Sequence, residues 1–380
     1  MRACEYCKHV TDEERDALEY MKWTVTASLL GLALTPTQTS SFAPSNRKGT
    51  SLPPSSSSSQ VLTFTEPTTN VQVTLIGAMH YNPQSIRLAS STCEELVQRN
   101  ALASVIVESC PTRWSKTLRT QPEGSVMRQL FDNEMQAAAE VAARAGLPVV
   151  LGDQDISATN KRMAQTFQAS VVDLLTPWRG GWAALYTDIA EAARLTLPSG
   201  NQYLGADAFF NGGLLLAAPV SLVRYPLSFI VKSPLFGVPA IGGLVYALLN
   251  TGDTSFVGTT AVEQLQEVVT SATIFGVETA VFARVFLVAL LAERNEILAN
   301  NILAECRRAA AAAAVASKGK GMGGGKGGGL LQMISAGLSG SAAKGDDSGR
   351  ASAPVVVAVL GAAHVNGIRL LLETQAKGQE

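Results

Sequence analysis

Charged side chains are scarce in this chain. They make up 16% of its 380 residues, and hydrophobic residues make up 47%, whereas an average soluble domain carries about 25% charged residues. A composition this apolar excludes wholesale disorder and a long charged coiled coil, because both need many charges. The 30 basic and 31 acidic residues nearly cancel, so the chain has no general attraction for phosphates and no nucleic-acid partner is expected.

Cysteine and histidine are also rare. Five cysteines are too few for a disulfide scaffold and odd in number, so free thiols are expected. Cys4, Cys7 and His9 have the spacing of half a zinc site, but no second Cys/His pair follows at ligand spacing. An unstructured N-terminus is therefore the favoured interpretation of this segment.

An apolar run near the N-terminus predicts a targeting peptide that begins at Met21. Residues 1–20 contain six acidic side chains, which is the wrong start for a targeting peptide, whereas residues 22–65 contain none. The run Trp23–Leu34 has the length of a signal-peptide core, and a Ser/Thr/Pro-rich stretch follows it. A spurious apolar patch in a disordered arm is the alternative. Residues 1–60 are in either case expected to be a disordered extension.

The four residues Ser-Phe-Ala-Pro at 41–44 indicate a destination. They resemble the cleavage motif of plastid preproteins in algae with secondary plastids. We therefore expect delivery to a plastid through the secretory pathway. If Trp23–Leu34 stays in place as an anchor, an endomembrane location is expected instead.

An alternation of apolar runs and helical patterns predicts the fold class. Each of four short apolar runs rich in β-branched residues leads to a polar residue, and helical patterns at 84–100 and 125–146 separate the earlier ones. This alternation predicts an α/β fold with a central, mainly parallel or mixed sheet flanked by helices. The four polar residues are expected in the crevice beyond the carboxyl ends of the strands. The runs and residues are 71–76 before His80, 104–107 before Glu108, 148–151 before Asp153 and 355–360 before His364.

Two segments depart from this pattern inside a predicted domain at 61–375. Residues 204–252 are apolar, and residues 233–252 include 20 positions without a charge, enough to span a bilayer. Pro and Gly interrupt them, so membrane association, a hydrophobic lid and a buried hairpin all remain open. Residues 318–352 are rich in Gly, Lys and Ser and are expected to be a disordered insertion before the last strand.

Two of the three histidines stand in matching contexts. His80 ends the run Val-Thr-Leu-Ile-Gly-Ala-Met-His and His364 ends the run Val-Ala-Val-Leu-Gly-Ala-Ala-His. The shared glycine three positions before each histidine lets the chain turn as the strand ends. We expect both imidazoles in one crevice, although satisfied structural histidines at strand ends are the alternative.

Four motifs, two of which contain these histidines, resemble, in order, those of the TraB family. This family includes a bacterial pheromone-shutdown protein and is related to the Tiki proteases and, distantly, to the erythromycin esterases. The likeness covers about residues 71–172 and 284–373, and the region between them matches no motif. The motifs are Gly-Ala-Met-His at 77–80, Val-Glu-Ser-Cys-Pro-Thr-Arg at 107–113, Glu-Arg-Asn-Glu at 293–296 and Gly-Ala-Ala-His-Val-Asn-Gly-Ile at 361–368.

The resemblance implies a metal-dependent hydrolase that acts on a peptide or a small molecule. His80, His364 and Glu108 are the implied ligands of a divalent transition metal (Mn, Co, Fe or Zn), with Glu108 also catalytic and no organic cofactor. Two imidazoles and a carboxylate suit such a metal and leave positions open for water.

Further residues are expected around these ligands. Arg113 and Arg294 are expected to hold a substrate carboxylate or an oxyanion, with structural salt bridges as the alternative. Asp153, Glu293 and Asn295 are expected to orient the residues of the site through hydrogen bonds. For Glu293 and Asn295, solvated positions on a helix face are the alternative. For Asp153 and its neighbour Asp155, helix N-capping is the other interpretation.

Two other functional hypotheses remain open at this point. The erythromycin esterases use a His/Glu pair to activate water without a metal, so the same residues can act as a general base and its orienting group. The other hypothesis is that the protein is not an enzyme but a non-catalytic organelle protein whose apolar middle segment binds a membrane or a partner.

Overall fold

A computed structural model describes residues 59–198, 200–208, 210–232, 237–239, 242, 260–321 and 353–377. These residues all fall within one folding unit. The predicted targeting segment up to residue 58 lies outside the described residues. Ser59 and Gln60 are described, and the Gln60 side chain donates a 2.7 Å hydrogen bond to the Gly77 carbonyl, so the fold begins slightly before Val61.

The described residues form a five-stranded mixed sheet with helices on both faces. The strand order is β1-β2-β5-β3-β4, with β1 antiparallel to its neighbour and the other pairings parallel. The α/β class and the mainly parallel sheet predicted from the sequence are confirmed. The edge strand β1 was not predicted. The strands are β1 Val61–Thr65, β2 Gln72–Ala78, β3 Leu102–Val107, β4 Val149–Leu151 and β5 Val355–Gly361.

The pairing of β2 with β5 joins distant parts of the chain. Gly77 lies opposite Leu360, and Ala78 lies opposite Gly361. The two Gly-x-x-His segments therefore leave the sheet side by side at the same edge. Loop-closure entropy opposes contacts between such distant segments, but it grows only logarithmically with loop length, and both strands are buried on both faces.

The described part of the chain contains ten α-helices around the sheet. They are α1 Pro83–Gln98, α2 Pro111–Thr120, α3 Val126–Leu130, α4 Glu134–Arg144, α5 Ile156–Leu175, α6 Gly181–Thr196, α7 Gly212–Lys232, α8 Ala261–Arg284, α9 Glu293–Gly321 and α10 Ala362–Lys377. Short 3₁₀ turns at Pro177–Arg179 and Ala206–Ala208 and a π-helical segment at Val285–Ala292 complete the described elements.

Helices α9 and α10 pack on one face of the sheet and α1 and α4 on the other. Leu298, Ile302 and Ile368 lie in the first core cluster, and Cys93 and Val141 lie in the second. The β-branched residues of β2, β3 and β5 alternate between these two clusters, which is why the strands read as nearly continuous apolar runs. The three described cysteines are free and buried, as expected.

The predicted helix at 125–146 is two helices. Asn133 interrupts it with an extended backbone, and its side chain accepts a hydrogen bond from Gln136 N as the N-cap of α4. The break places Glu134 at the first turn of α4. The predicted helix at 84–100 is confirmed as α1, which begins at Pro83 after the N-cap Asn82.

The apolar middle segment is partly described. Among the residues that the structure describes, two helices are long and apolar enough to cross a membrane by length and composition, Gly212–Lys232 and the run Ala261–Ala316. Most of 233–252 lies outside the described residues. Helix α9 extends to Gly321, four residues into the predicted insertion at 318–352, and the rest of that insertion is also outside the described part of the chain.

Candidate functional site

Four predicted site residues lie at the carboxyl edge of the sheet. His80 follows β2, Glu108 follows β3, Asp153 follows β4, and His364 lies in the first turn of α10 directly after β5. The crevice expected from the alternation of strands and helices is therefore where these side chains stand.

Gly361 marks the point where three of them meet. A Cβ atom added to this glycine would lie 3.2 Å from His80 Nε2, 3.3 Å from Glu108 Oε2 and 3.6 Å from His364 Cδ2. The distances of 3.2 and 3.6 Å put His80 Nε2 and His364 Cδ2 no more than 6.8 Å apart. The two histidines face one shared space, and Gly361 leaves that space open because it has no side chain.

His80 is oriented by a buried carboxylate. Its Nδ1 donates a 2.6 Å hydrogen bond to Glu134 Oε1, and Tyr81 N donates to Glu134 Oε2 at 3.2 Å. Glu134 is fully buried, whereas the His80 side chain is 29% exposed. A carboxylate can only accept, so the proton of the neutral ring is on Nδ1, and Nε2 presents a lone pair to the crevice.

Two opposing effects act on the protonation of His80. Burial by itself lowers its pKa, but the charges of Glu134 and Glu108 and the hydrogen bond to Glu134 outweigh burial and raise the pKa of His80 to about 9. His80 is therefore a strong base held by a carboxylate on one side.

His364 has a matching arrangement with a neutral partner. Its Nδ1 donates a 2.6 Å hydrogen bond to Asn295 Oδ1, and Asn295 is buried. Its Nε2 lies 3.3 Å from Glu108 Oε1. His364 Nε2 therefore faces a carboxylate oxygen, an arrangement in which a proton or a cation between the two atoms would be stabilised.

Glu108 is the centre of the site's hydrogen bonds. Its Oε2 accepts from Gly361 N at 2.6 Å, and its Oε1 accepts from an Arg294 Nη atom at 2.5 Å. Burial raises its pKa, but the charges of His364, Arg294 and His80 together hold the pKa of Glu108 well below its usual range. Glu108 is therefore an anion at neutral pH.

Both predicted arginines are held in place by carboxylates. Arg294 forms a two-point pair with Asp153, from Nε at 2.9 Å and from an Nη atom at 2.8 Å, in addition to its bond to Glu108. Arg113 donates to Asp153 and to the Glu108 carbonyl. Asp153 thus ties the two arginines together, the salt-bridge alternative considered for them, and it does not cap a helix.

Two acidic residues near the site have other partners. Glu293 was expected to support the site, but its carboxylate pairs with Arg162 of α5 at the surface. Consecutive helical residues point about 100° apart, so Asn295 faces His364 while Glu293 faces outward. Asp155 is the N-cap of α5, where it accepts from Ser157 N.

Helix α7 covers one side of the crevice. The Tyr225 ring stacks on the His80 ring with centroids 6.4 Å apart, and the Tyr81 hydroxyl lies 2.6 Å from Ser228 Oγ. Lys232 Nζ donates to the same Tyr81 hydroxyl at 3.2 Å. This helix belongs to the apolar segment 204–252, for which membrane association, a hydrophobic lid and a buried hairpin all stay predictions.

Glu134 and the residues of α7 were missed by the sequence analysis. Asn133 followed by Glu134 is an N-cap followed by an acidic first turn, so the start of a helix could have been found. Nothing in the sequence indicates that this carboxylate meets His80, because the contact depends on how α4 packs against α1.

The donor atoms only partly suit the implied metal. Two imidazole nitrogens and a carboxylate face the same space, yet the Glu108 oxygens are already engaged by Gly361 and Arg294. Among the described residues, no group of three or more His, Cys, Asp or Glu side chains is placed to hold a metal ion.

Comparison with known proteins gives no assignment. No protein-family model matches the chain, and no curated protein matches it. The TraB resemblance consequently depends on the four short motifs alone.

Proposed function

We propose that the protein is a TraB-like hydrolase in which His80, oriented by Glu134, removes a proton from the attacking water. The 2.6 Å bond between His80 Nδ1 and Glu134 Oε1 is the observation that supports this proposal most directly. It fixes the tautomer that leaves Nε2 free as a base, the arrangement by which a carboxylate orients a catalytic histidine in other hydrolases.

The two histidines have complementary roles in this scheme. Water is held at His80 Nε2, and its oxygen attacks the substrate carbonyl carbon as the proton passes to His80. Protonated His364, stabilised by Glu108, donates its Nε2 proton to the leaving nitrogen or oxygen as the carbon–heteroatom bond breaks. A proton then returns from His80 to His364 through solvent, which restores both groups.

Replacing Glu134 tests the orienting role of this carboxylate. The E134Q variant is expected to lose at least about tenfold in kcat, and H80Q about 10²–10⁴-fold, the usual contribution of a general base. Activity is measured against a peptide library and a panel of simple esters. Because His80 must be unprotonated and His364 protonated in this scheme, kcat/KM is expected to follow a bell-shaped pH profile, and H80Q, which removes the group with a pKa of about 9, is expected to lose one of its two limbs.

The same helix provides a matched control. Glu140, also on α4, accepts a hydrogen bond from the Arg128 side chain, whereas Glu134 accepts from His80. The E140Q variant is expected to keep wild-type kinetics. Equal activity of E134Q and E140Q would contradict the proposed role of Glu134.

Metal dependence separates two forms of the proposal. Activity that survives EDTA supports water activation by His80 alone. Activity that is lost in EDTA and returns only with Mn, Co, Fe or Zn supports the form in which His80, His364 and Glu108 are ligands.

A second candidate is a non-catalytic protein that associates with membranes in an organelle. Helix α8 favours it, because it exposes large apolar side chains along its length, among them Val262 (75% exposed), Phe275 (70%) and Phe282 (69%). Flotation of the full chain with plastid-lipid vesicles tests this candidate. Binding that is abolished by replacing Phe275 and Phe282 with Ser, together with no hydrolysis of any substrate, would favour it over the enzyme.

A further inference from the structure

We propose that Lys232 of α7 binds a carboxylate group of the substrate beside His80. This inference names a substrate class for the proposed hydrolase and therefore rests on the proposed function. Three observations support it: the position of Lys232, the absence of an ionic partner for it among the described residues, and the contacts that place α7 over the crevice.

The inner face of α7 is defined by its contacts with the loop after β2. Ser228 is buried and meets the Tyr81 hydroxyl at 2.6 Å, and Lys232, one helical turn later, donates to the same hydroxyl at 3.2 Å. Residues four apart in a helix share a face, so both side chains point toward the crevice. Tyr81 directly follows His80, so the Lys232 ammonium is hydrogen-bonded to the residue that adjoins the proposed base.

Among the described residues, Lys232 has no carboxylate within ion-pair distance, although its side chain is half-buried. The Lys232 ammonium lies at the hydroxyl end of the Tyr81 ring, with Nζ 5.8 Å from the ring centroid. A half-buried cation without a counter-ion is unfavourable, and such cations mark positions where a ligand supplies the charge.

The electrostatics of this position agree with the geometry. Burial and the positive charge of Arg113 together lower the pKa of Lys232 to about 8, and the charge of Glu134 only partly opposes them. A bound carboxylate would relieve both the desolvation and the repulsion by Arg113.

The backbone beside Lys232 is strained. Tyr81 has a φ of 61°, in the left-handed region that non-glycine residues rarely adopt. This conformation aims its amide at Glu134 and its ring toward α7. Strain of this kind persists where surrounding contacts hold it and is concentrated at binding sites.

A carboxylate suits this position better than a larger anion. The other unpaired cation of the same face, Arg224, is eight residues earlier and thus about 12 Å away along the helix. The two cations are too far apart to bind one small group at the same time. Lys232 acts as a single point charge, which is sufficient for a monoanion such as a carboxylate.

Two ester substrates test the inference by their ratio. Mono-4-nitrophenyl succinate and 4-nitrophenyl butyrate have equal chain lengths, but only the first ends in a carboxylate. The wild-type protein is expected to prefer the succinate ester in kcat/KM, mainly through KM. The preference is expected to fall about tenfold or more in K232M, since hydrogen bonds to charged groups contribute about 1.5–3 kcal/mol, and to persist in part in K232R.

Two controls separate a direct contact from a general field. R224M removes a cation from the same face of α7, and K161M removes an exposed lysine from α5. Both are expected to keep the wild-type preference for the succinate ester. A preference that is unchanged in K232M, or lost equally in R224M, would overturn the inference. If K232M does not fold, K232Q replaces it.

A binding measurement keeps this inference separate from the proposed reaction. Sodium succinate is expected to raise the Tm of the wild-type protein more than succinamide does at equal ionic strength, and K232M is expected to remove the difference. Equal effects of the two compounds on the wild type would overturn the carboxylate site. If neither ester is hydrolysed but succinate still raises the Tm in a way that depends on Lys232, the carboxylate site is retained and the hydrolase is rejected.

Discussion

At the scale of single residues, Gly361 is the position on which the site depends most directly. Its Cα faces the space between the two imidazoles, and an added Cβ would lie 3.2 Å from His80 Nε2 and 3.3 Å from Glu108 Oε2. Both distances are shorter than ordinary van der Waals contact. A methyl group here would occupy the place where water must sit between the base and the substrate.

We therefore expect G361A to reduce hydrolysis about a hundredfold or more, because small misplacements of reacting groups have effects of this size. The loss of stability is expected to be only about 1–3 kcal/mol, as for other overpacked sites. Kinetics and urea unfolding measure the two effects. G276A, in α8 where an added Cβ meets nothing within 4 Å, is the control and is expected to keep full activity. Full activity of G361A would contradict the proposal that both histidines act in one shared site.

At the scale of secondary-structure elements, one arginine joins three helices behind the site. Arg284, at the end of α8, donates to Asp173 of α5 at 2.6 Å and to Asp188 of α6 at 3.0 and 2.5 Å. Arg284 is buried, and the π-helical segment that leads to Arg294 and Asn295 begins at the next residue. The ion pairs therefore fix the position from which α9 enters the site.

Replacing Arg284 with Met is expected to lower the free energy of unfolding by about 1–3 kcal/mol. The cost is moderate because Asp173 and Asp188 are partly exposed and can be hydrated again. The matched control is R162M, which removes the exposed pair with Glu293 and should cost no more than about 1 kcal/mol. Chemical denaturation of both variants measures the difference. Equal losses would show that burial of Arg284 does not matter.

At the scale of the whole molecule, the stability of the fold is linked to the proton on His80. The pKa of His80 is raised to about 9 in the folded state, from an ordinary value of 6.5. A raised pKa contributes stability that is fully present below pH 6.5 and is lost as the pH rises through about 9. Stability from this group therefore decreases across the alkaline range.

We expect the Tm difference between wild type and H80Q, measured in EDTA, to be largest at pH 6 and to shrink toward pH 10. E134Q removes the carboxylate that raises the pKa, so its Tm should decrease less steeply with pH than that of the wild type. Differential scanning calorimetry from pH 6 to pH 10 checks both trends. A wild-type Tm that rises relative to H80Q across this range would contradict the assignment of the proton.

Much of the fold could be predicted from the sequence because its strands carry their own signal. Strands β2, β3, β4 and β5 are short apolar runs rich in β-branched residues, and each is followed by a polar residue that reaches the crevice. Strand β1 was missed because it is an edge strand with two threonines and partly exposed positions, a pattern that local sequence rarely distinguishes from a loop.

The sequence by itself determined which residues end the strands, because hydrophobic periodicity and the repeated Gly-x-x-His pattern are local properties of the chain. Only the tertiary structure decided their partners. Glu134 lies 54 residues from His80, and Lys232 lies 151 residues from Tyr81. Glu293 and Asn295 are two positions apart, yet the first faces Arg162 and the second faces His364. Such choices depend on how whole helices are rotated and packed, and that information is not contained in any short segment of sequence.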